Sequence, residues 1–326
     1  MAIIDFHNHF YPPAYLEAIE RGPSAVRVTR DGDGNPMLHY PGDYNVAVRG
    51  HRDIDYREKV LREVGVDLQV ITLTTPGTHV EEPAAAARLA KLVNDEFARV
   101  VANKRRRFAA LATLPLIDPD ASVAELDRAI AELNFRGAMI FSNVNGVSLW
   151  DKRFWPLYDA ANEMEAVLHI HPTNPVGVEA MMDYWLMPLV GFLFDTTLAA
   201  AGLVFSGVVE RFPKIRWVLG HLGGAIPYLA ERLDRGYHAF AECRENISQP
   251  PSNYLRNFYY DTVNFDPRAI ELAIHFAGAE HILAGSDHPH KIGSISKMLE
   301  SIEQTKISKK EKALILGGNA ARLLGL

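Results

Sequence analysis

The chain has 326 residues, of which 48% are hydrophobic and 23% charged, with a formal net charge of −6. That apolar fraction supports a large buried core, and the acidic balance argues against a general nucleic-acid or anionic-membrane partner. The single cysteine, Cys243, excludes an intramolecular disulfide and fits a reducing, cytoplasmic compartment.

The apolar start Met1-Ala2-Ile3-Ile4 leads directly into a predicted first strand, Ile3–His9, so no cleavable signal is expected. That strand closes on Asp5-Phe6-His7-Asn8-His9. Side chains two apart on a strand project to one side, so His7 and His9 can grip a single ion. The next link, Phe10–Asp67, is far longer than an ordinary βα connection. It contains Val26–Arg30, a turn at Asp31-Gly32-Asp33-Gly34, and Met37–Tyr40, which together predict a hairpin within a small insertion at about 22–50. The Asp31-x-Asp33-x-Asn35 spacing looks like a calcium loop. Pro36 stands where that loop needs glycine and Gly42 where it needs glutamate, so calcium is not expected.

A helix at Tyr56–Glu63 then opens a regular alternation. Strand Leu68–Thr72 precedes helix Ala84–Asn103, and strand Phe108–Leu111 precedes helix Ala121–Leu133. Strand Gly137–Phe141 precedes helix Phe154–Glu165, and strand Val167–His171 precedes helix Thr197–Glu210. Strands Arg216–Leu219 and Phe258–Asp261 precede helices Ile226–Ala241 and Pro267–Phe276. Strand Ile282–Ala284 and a last helix, Lys309–Leu324, complete the series. Asp118-Pro119 and Asp266-Pro267 read as helix entries, while Gly65 and Gly137 mark helix exits. The apolar run Leu186–Val209 is interrupted by Pro188, Asp195, Thr196 and Thr197. It predicts a loop feeding a buried helix rather than a membrane span. Eight β-then-α units predict an α/β protein, a single (β/α)8 TIM barrel over residues 1–326 with a C-terminal helix. A doubly wound sheet is the alternative, but no glycine fingerprint follows the first strand.

In such a barrel the C-terminal ends of the strands share one mouth. His7 and His9, His171, His221, and Asp287 with His288 all fall at such ends. Histidines and a carboxylate with an open position suit a divalent metal; Zn2+ is expected first, and Mn2+, Fe2+ or Co2+ are also compatible. His169 shares the face of His171 one layer deeper and reads as a packed supporting residue, and Asp261 is a candidate for the same role. His288 and His290 sit on the loop after the eighth strand, exposed or lining the pocket. His39, His51, His79, His238, His275 and His281 default to solvated or capping positions, His51 least securely. Trp185, with Phe141, Phe192 and Phe194, could give flat walls to a conjugated substrate.

The motifs Asp5-Phe6-His7-Asn8-His9, Ile170-His171-Pro172, Gly220-His221-Leu222-Gly223-Gly224-Ala225-Ile226-Pro227, Gly285-Ser286-Asp287-His288-Pro289 and Gly318-Asn319-Ala320-Ala321-Arg322-Leu323 span nearly the whole chain. In this order they resemble the amidohydrolase superfamily. The nearest branch contains 2-amino-3-carboxymuconate-6-semialdehyde decarboxylase and the resorcylate-type decarboxylases. The resemblance implies His7, His9, His171 and Asp287 as metal ligands, and His221 as an unligated catalytic histidine working with Asp287. It also implies an arginine for the substrate carboxylate. Arg49 and Arg52 flank His51 at the aligned position, whereas Arg232 and Arg235 resemble positions that cross a dimer interface. The expected activity is decarboxylation of a small aromatic or conjugated carboxylic acid by a homodimer or dimer of dimers. The alternatives are hydrolysis of an amide, ester or lactone by a metal-activated hydroxide and, more remotely, a non-catalytic metal-binding scaffold.

Overall fold

Short runs of β-branched and aromatic residues pair in parallel, and most are buried on both faces, as parallel strands covered by helices must be. The computed structural model describes residues 2–326; Met1, the first residue of the apolar start, lies outside them. The parallel strands are β1 (Ile4–His9), β2 (Leu68–Thr72), β3 (Phe108–Ala110, continued by Ala112–Thr113), β4 (Gly137–Phe141), β5 (Val167–His171), β6 (Arg216–Leu219), β7 (Tyr259–Asp261) and β8 (Ile282–Leu283). The principal helices are α1 (Pro13–Arg21), α2 (Ile54–Val64), α3 (Pro83–Asn103), α4 (Pro119–Ala131), α5 (Trp155–Glu163), α6 (Phe192–Phe205), α7 (Ile226–Ala239), α8 (Pro267–Ala277), α9 (Ile295–Gln304) and α10 (Asn319–Leu324).

Strands β1, β2 and the first part of β3 form one hydrogen-bonded group; the second part of β3 pairs with β4, and pairing runs on through β8. Leu111 is the one-residue joint between the groups, its N–H donating to Ile71 O at 3.3 Å. On the other side Phe6 N donates to Ala284 O at 2.7 Å and His9 N to His288 O at 2.9 Å, while His7 O accepts from Asp287 N at 2.8 Å. Those last bonds tie the two metal-type segments of the chain, after β1 and after β8, to one another.

Local chemistry explains the boundaries. Asp118 and Asp266 cap α4 and α8 by accepting from Ala121 N and Arg268 N, with proline in the first helical turn. Gly65 ends α2 in the left-handed region. Gly137 has a different reason from the helix exit expected of it. It opens β4 at φ 151°, and a Cβ there would lie 1.9 Å from Val167 O of β5.

The elements depart from those expected in three regions of the chain. The helix expected from Thr197 begins at Phe192, preceded by a wide turn at Met187–Gly191. Pro188 sits in the first turn of that segment, where its missing N–H is tolerated, so it starts the helix rather than breaking it. The hairpin Arg27–Arg30 with Pro36–Tyr40 has a third antiparallel strand, Asp43–Val46, whose Asn45 donates to Thr75 O at 2.8 Å beyond β2. The last helix is broken by a wide turn at Leu314–Gly318, and α1 and α9 were not expected.

Candidate metal and active site

The carboxyl ends of β1 and β5 and the loop after β8 place His7, His9, His171 and Asp287 together, all buried, with donor atoms within 4.8 Å of one another. His7 Nε2 and His9 Nε2 are 3.1 Å apart. Asp287 Oδ1 lies 3.1 Å from His9 Nε2 and 3.5 Å from His7 Nε2. His171 Nε2 is buried without a partner.

The other ring nitrogen of each histidine is already engaged. His7 Nδ1 is hydrogen-bonded to Asp261 Oδ2, and His171 Nδ1 donates to Pro172 O at 2.7 Å. His9 Nδ1 lies 3.2 Å from Thr72 Oγ1, whose own hydrogen goes to Asn8 O at 2.7 Å. The network therefore puts each ring proton on Nδ1 and turns three Nε2 lone pairs, with a carboxylate oxygen, toward one point. Lone pairs so placed repel unless a cation stands between them. That donor set fits a divalent metal ion.

Electrostatics agree. Burial, reinforced by neighbouring imidazoles, holds His9 and His171 well below the ordinary imidazole range, so both are neutral donors. Burial alone would lower His7 as well, but the Asp261 carboxylate overrides it and raises that ring. A proton on His7 Nε2 and a metal ion compete for the same lone pair. Burial would likewise raise Asp261, yet His7 holds it down at about 2. Asp261 also accepts from the backbone N–H of His221, Leu222 and Val263, so its orientation is fixed from the β6 and β7 ends. His169 lies one layer below, fully buried, with Nε2 4.0 Å from Asp261 Oδ2.

His221 stands just outside the four-residue group, its Nε2 3.9 Å from Asp287 Oδ2 and its Nδ1 unpartnered. Burial lowers its pKa, which leaves the ring neutral and free to exchange a proton. His221, Leu222 and Asp287 all adopt positive φ, between 53° and 57°. Non-glycine residues held there cluster at functional sites.

A cavity of about 800 Å3 opens over these groups. Its floor includes His171, His221 and Asp287; one wall is Asp43, Tyr44 and Asn45 of the third antiparallel strand, and another is Trp185, Pro188 and Phe192. Trp185, 59% exposed, lines it. Of the other aromatics, Phe141 is buried beside His171 and Phe194 faces outward. His51 is buried and lines the cavity, as does His290, while Arg49 and Arg52 face elsewhere. Arg49 is paired with Asp53 at 2.9 Å, and Arg52 donates to Ala47 O at 3.1 Å. Arg232 and Arg235 are exposed on α7 away from the cavity. Among the described lining residues the one basic side chain other than histidine is Lys291. The calcium-like loop is filled from within: Asp31 accepts from Asp33 N, Asn35 N and Asn35 Nδ2.

Sequence reasoning missed Arg57. Its guanidinium is wholly buried and donates to Gly50 O, Asn8 Oδ1 and His9 O, which pins the start of α2 against the end of β1. The available signal was its place four residues before Leu61, on the buried face of an otherwise polar helix. His79, expected in a solvated or capping position, is instead buried against Phe141, and burial pushes it down to about 4.

The match to known proteins covers the same ground. The chain is 34% identical to 2-amino-3-carboxymuconate-6-semialdehyde decarboxylase of Dictyostelium discoideum over 84% of its own length and 77% of the relative's. It superposes on the crystal structure of 5-carboxyvanillate decarboxylase from Sphingomonas paucimobilis with a TM-score of 0.87 at 27% identity, covering 100% and 99% of the two chains. The dihydroxybenzoic acid decarboxylase of Polaromonas sp. JS666, solved with bound manganese and 2-nitroresorcinol, gives a TM-score of 0.84 at 25% identity over 100% and 97%. With the family model described as amidohydrolase matching residues 4–326, the chain belongs to the amidohydrolase family, in the branch of the carboxymuconate-semialdehyde and resorcylate-type decarboxylases.

Proposed function

We propose that this protein is a metal-dependent carboxy-lyase that removes CO2 from a small aromatic or conjugated carboxylic acid. The observation that carries the reading is the convergence of three Nε2 lone pairs and one carboxylate oxygen beside a neutral, strained His221, in a chain whose relatives are decarboxylases. His7, His9, His171 and Asp287 would hold the ion; Zn2+ suits this donor set, and Mn2+ has the precedent of the Polaromonas enzyme. When bound, the ion supplies positive charge that anchors and polarises the substrate carboxylate. His221 and Asp287 handle the proton. It is added to the ring carbon bearing the carboxylate, and the electrons of the breaking C–C bond return to the ring as CO2 leaves. Trp185 and Phe192 supply apolar faces for a flat ring. The relatives named by their reaction are decarboxylases, which favours the lyase over the hydrolase alternative.

The reading extends to architecture. The bonds from Phe6, His7 and His9 to the segment after β8, with the Leu111 joint, support closure of the strands into a (β/α)8 barrel of one domain. The antiparallel strands then form an insertion that walls the mouth. An apolar outer face on α6 supports a homodimer, with Arg232 or Arg235 as the residue reaching the neighbour's cavity; the single, half-buried Cys243 supports a cytoplasmic location. The test is metal analysis joined to a panel of hydroxybenzoates, aminomuconate-like acids and lactones, read for both CO2 and ring opening. CO2 release that chelation abolishes and Zn2+ or Mn2+ restores is the expected result. Lactone opening without CO2 would replace the lyase by the hydrolase.

A further inference from the structure

Beyond the four-residue group, a second set of imidazoles reaches into the cavity. His290 packs 4.9 Å from His9 between ring centroids, and His51 packs 5.0 Å from His290. His51 is 1% exposed, and neither of its ring nitrogens has a partner. A buried polar atom left unmatched costs about 1–3 kcal/mol, so two on one ring point to a missing ligand. His51 and His290 both line the cavity, with Thr74 and Thr75 beside them, and His290 Nε2 lies 3.3 Å from Thr74 Oγ1.

We propose that His51, supported by His290, reads a neutral donor–acceptor substituent, a ring hydroxyl, so that the substrate is a hydroxylated aromatic acid with a single carboxylate. This deepens the decarboxylase reading and rests on it. A neutral imidazole offers one N–H and one lone pair, the complement of a hydroxyl that both donates and accepts. A carboxylate would demand a free cation, and within one chain none is free beside His51: burial holds that ring far below the ordinary imidazole range, the nearby Arg57 guanidinium is committed to Gly50 O, Asn8 Oδ1 and His9 O, and Arg49 and Arg52 are engaged by Asp53 and Ala47 O. The rim adds Asp31, Asp33 and Asp43 against Lys291 alone. A second carboxylate there would be desolvated beside like charges. The reacting carboxylate, by contrast, has the metal position.

The experiment uses metal-loaded enzyme and three acids on one ring: hydroxyl-bearing, hydroxyl-free, and bearing a second carboxylate in place of the hydroxyl. Calorimetry with 2-nitroresorcinol and nitrobenzene, whose nitro group mimics the carboxylate but cannot leave, measures binding without turnover. In His51→Leu the preference for the hydroxyl-bearing member should fall by about 10- to 100-fold in kcat/KM and in affinity, the loss of one or two buried hydrogen bonds. His51→Gln, which keeps a donor and an acceptor, should retain most of it, and His51→Arg should move preference toward the dicarboxylate. An unchanged ratio in His51→Leu, or a wild-type preference for the dicarboxylate, overturns the proposal. No CO2 from any acid overturns the decarboxylase reading instead, and the calorimetric ratio still decides the role of His51.

Discussion

Histidines 7, 9 and 171 each commit Nδ1 to a different partner: a carboxylate, a threonine hydroxyl and a backbone carbonyl. Because those partners come from β7, β2 and the chain just beyond β5, ring orientation is set by the strands and not by the metal. Under the proposed roles, two variants separate the ligands from the proton-handling residue. His171→Ala removes a lone pair and opens the site, so bound metal should fall well below one per chain in elemental analysis. His221→Ala should keep metal near the wild-type level while kcat falls by roughly 10² or more. Equal metal loss in the two variants would place His221 among the ligands. The grouping was readable because histidine two apart on a strand shares a face and strand ends share a rim. The partners of Nδ1 were less readable. Thr72 and Pro172 carry no signature of their own, and only the register that sets β2 beside β1 brings Thr72 against His9.

Elements were most legible where burial is two-sided and least where the chain leaves the sheet. Runs such as Val167–His171 and Gly137–Phe141 match their expected bounds because each is wholly buried and flanked by turn residues. The segments Pro13–Val46 and Val178–Gly191 form short elements held by contacts distant in sequence, Tyr15 to Gly77 O, Asn45 to Thr75 O and Tyr44 against Trp185, which no local period reports. Arg57, on the following helix α2, is the clearest case of such long-range contact. With no carboxylate partner, its buried charge is balanced by four oxygens, from Gly50, Asn8, His9 and, at 3.4 Å, His288, and burial draws its pKa down to about 9. Arg57→Met should destabilise the fold by about 3 kcal/mol, since it orphans two carbonyls and an amide oxygen. Lysine cannot reach three divergent acceptors from one point charge, so Arg57→Lys should recover little of it. Urea unfolding of both variants measures this, and a loss under 1 kcal/mol would show that α2 docks without the guanidinium.

At the scale of the whole molecule, the feature left without a partner is an apolar outer surface. Val190, Phe194 and Leu198 repeat every four residues along the wide turn and α6, and α7 packs beside that helix with Tyr228 exposed. The segment Met187–Phe205 is 19 residues long with a mean hydropathy of 1.7, long and apolar enough to cross a membrane, but 44% of it is buried within the fold. Its Asp195 is tied to Ser142 and Asn143 beyond β4, which fixes the inner face to the sheet. A helix held on one side and apolar on the other favours a flat protein partner over lipid on all sides. A second copy of the chain offers the same surface under two-fold symmetry, where each exposed Phe194 meets its equivalent or a neighbour of it. Arg232, exposed on α7, would then lie near the join between copies, the position its resemblance implies. Sedimentation at micromolar concentration should therefore give a dimer that Phe194→Glu converts to monomer, because burying two unpaired carboxylates outweighs the apolar contact. If the dimer is also needed to complete the site, KM for the acid should rise by about 10-fold in that variant and in Arg232→Ala, the loss of one charge-assisted bond. A wild-type monomer of full activity would confine the site to one chain and leave the cavity's own histidines and metal position as the whole of its recognition machinery.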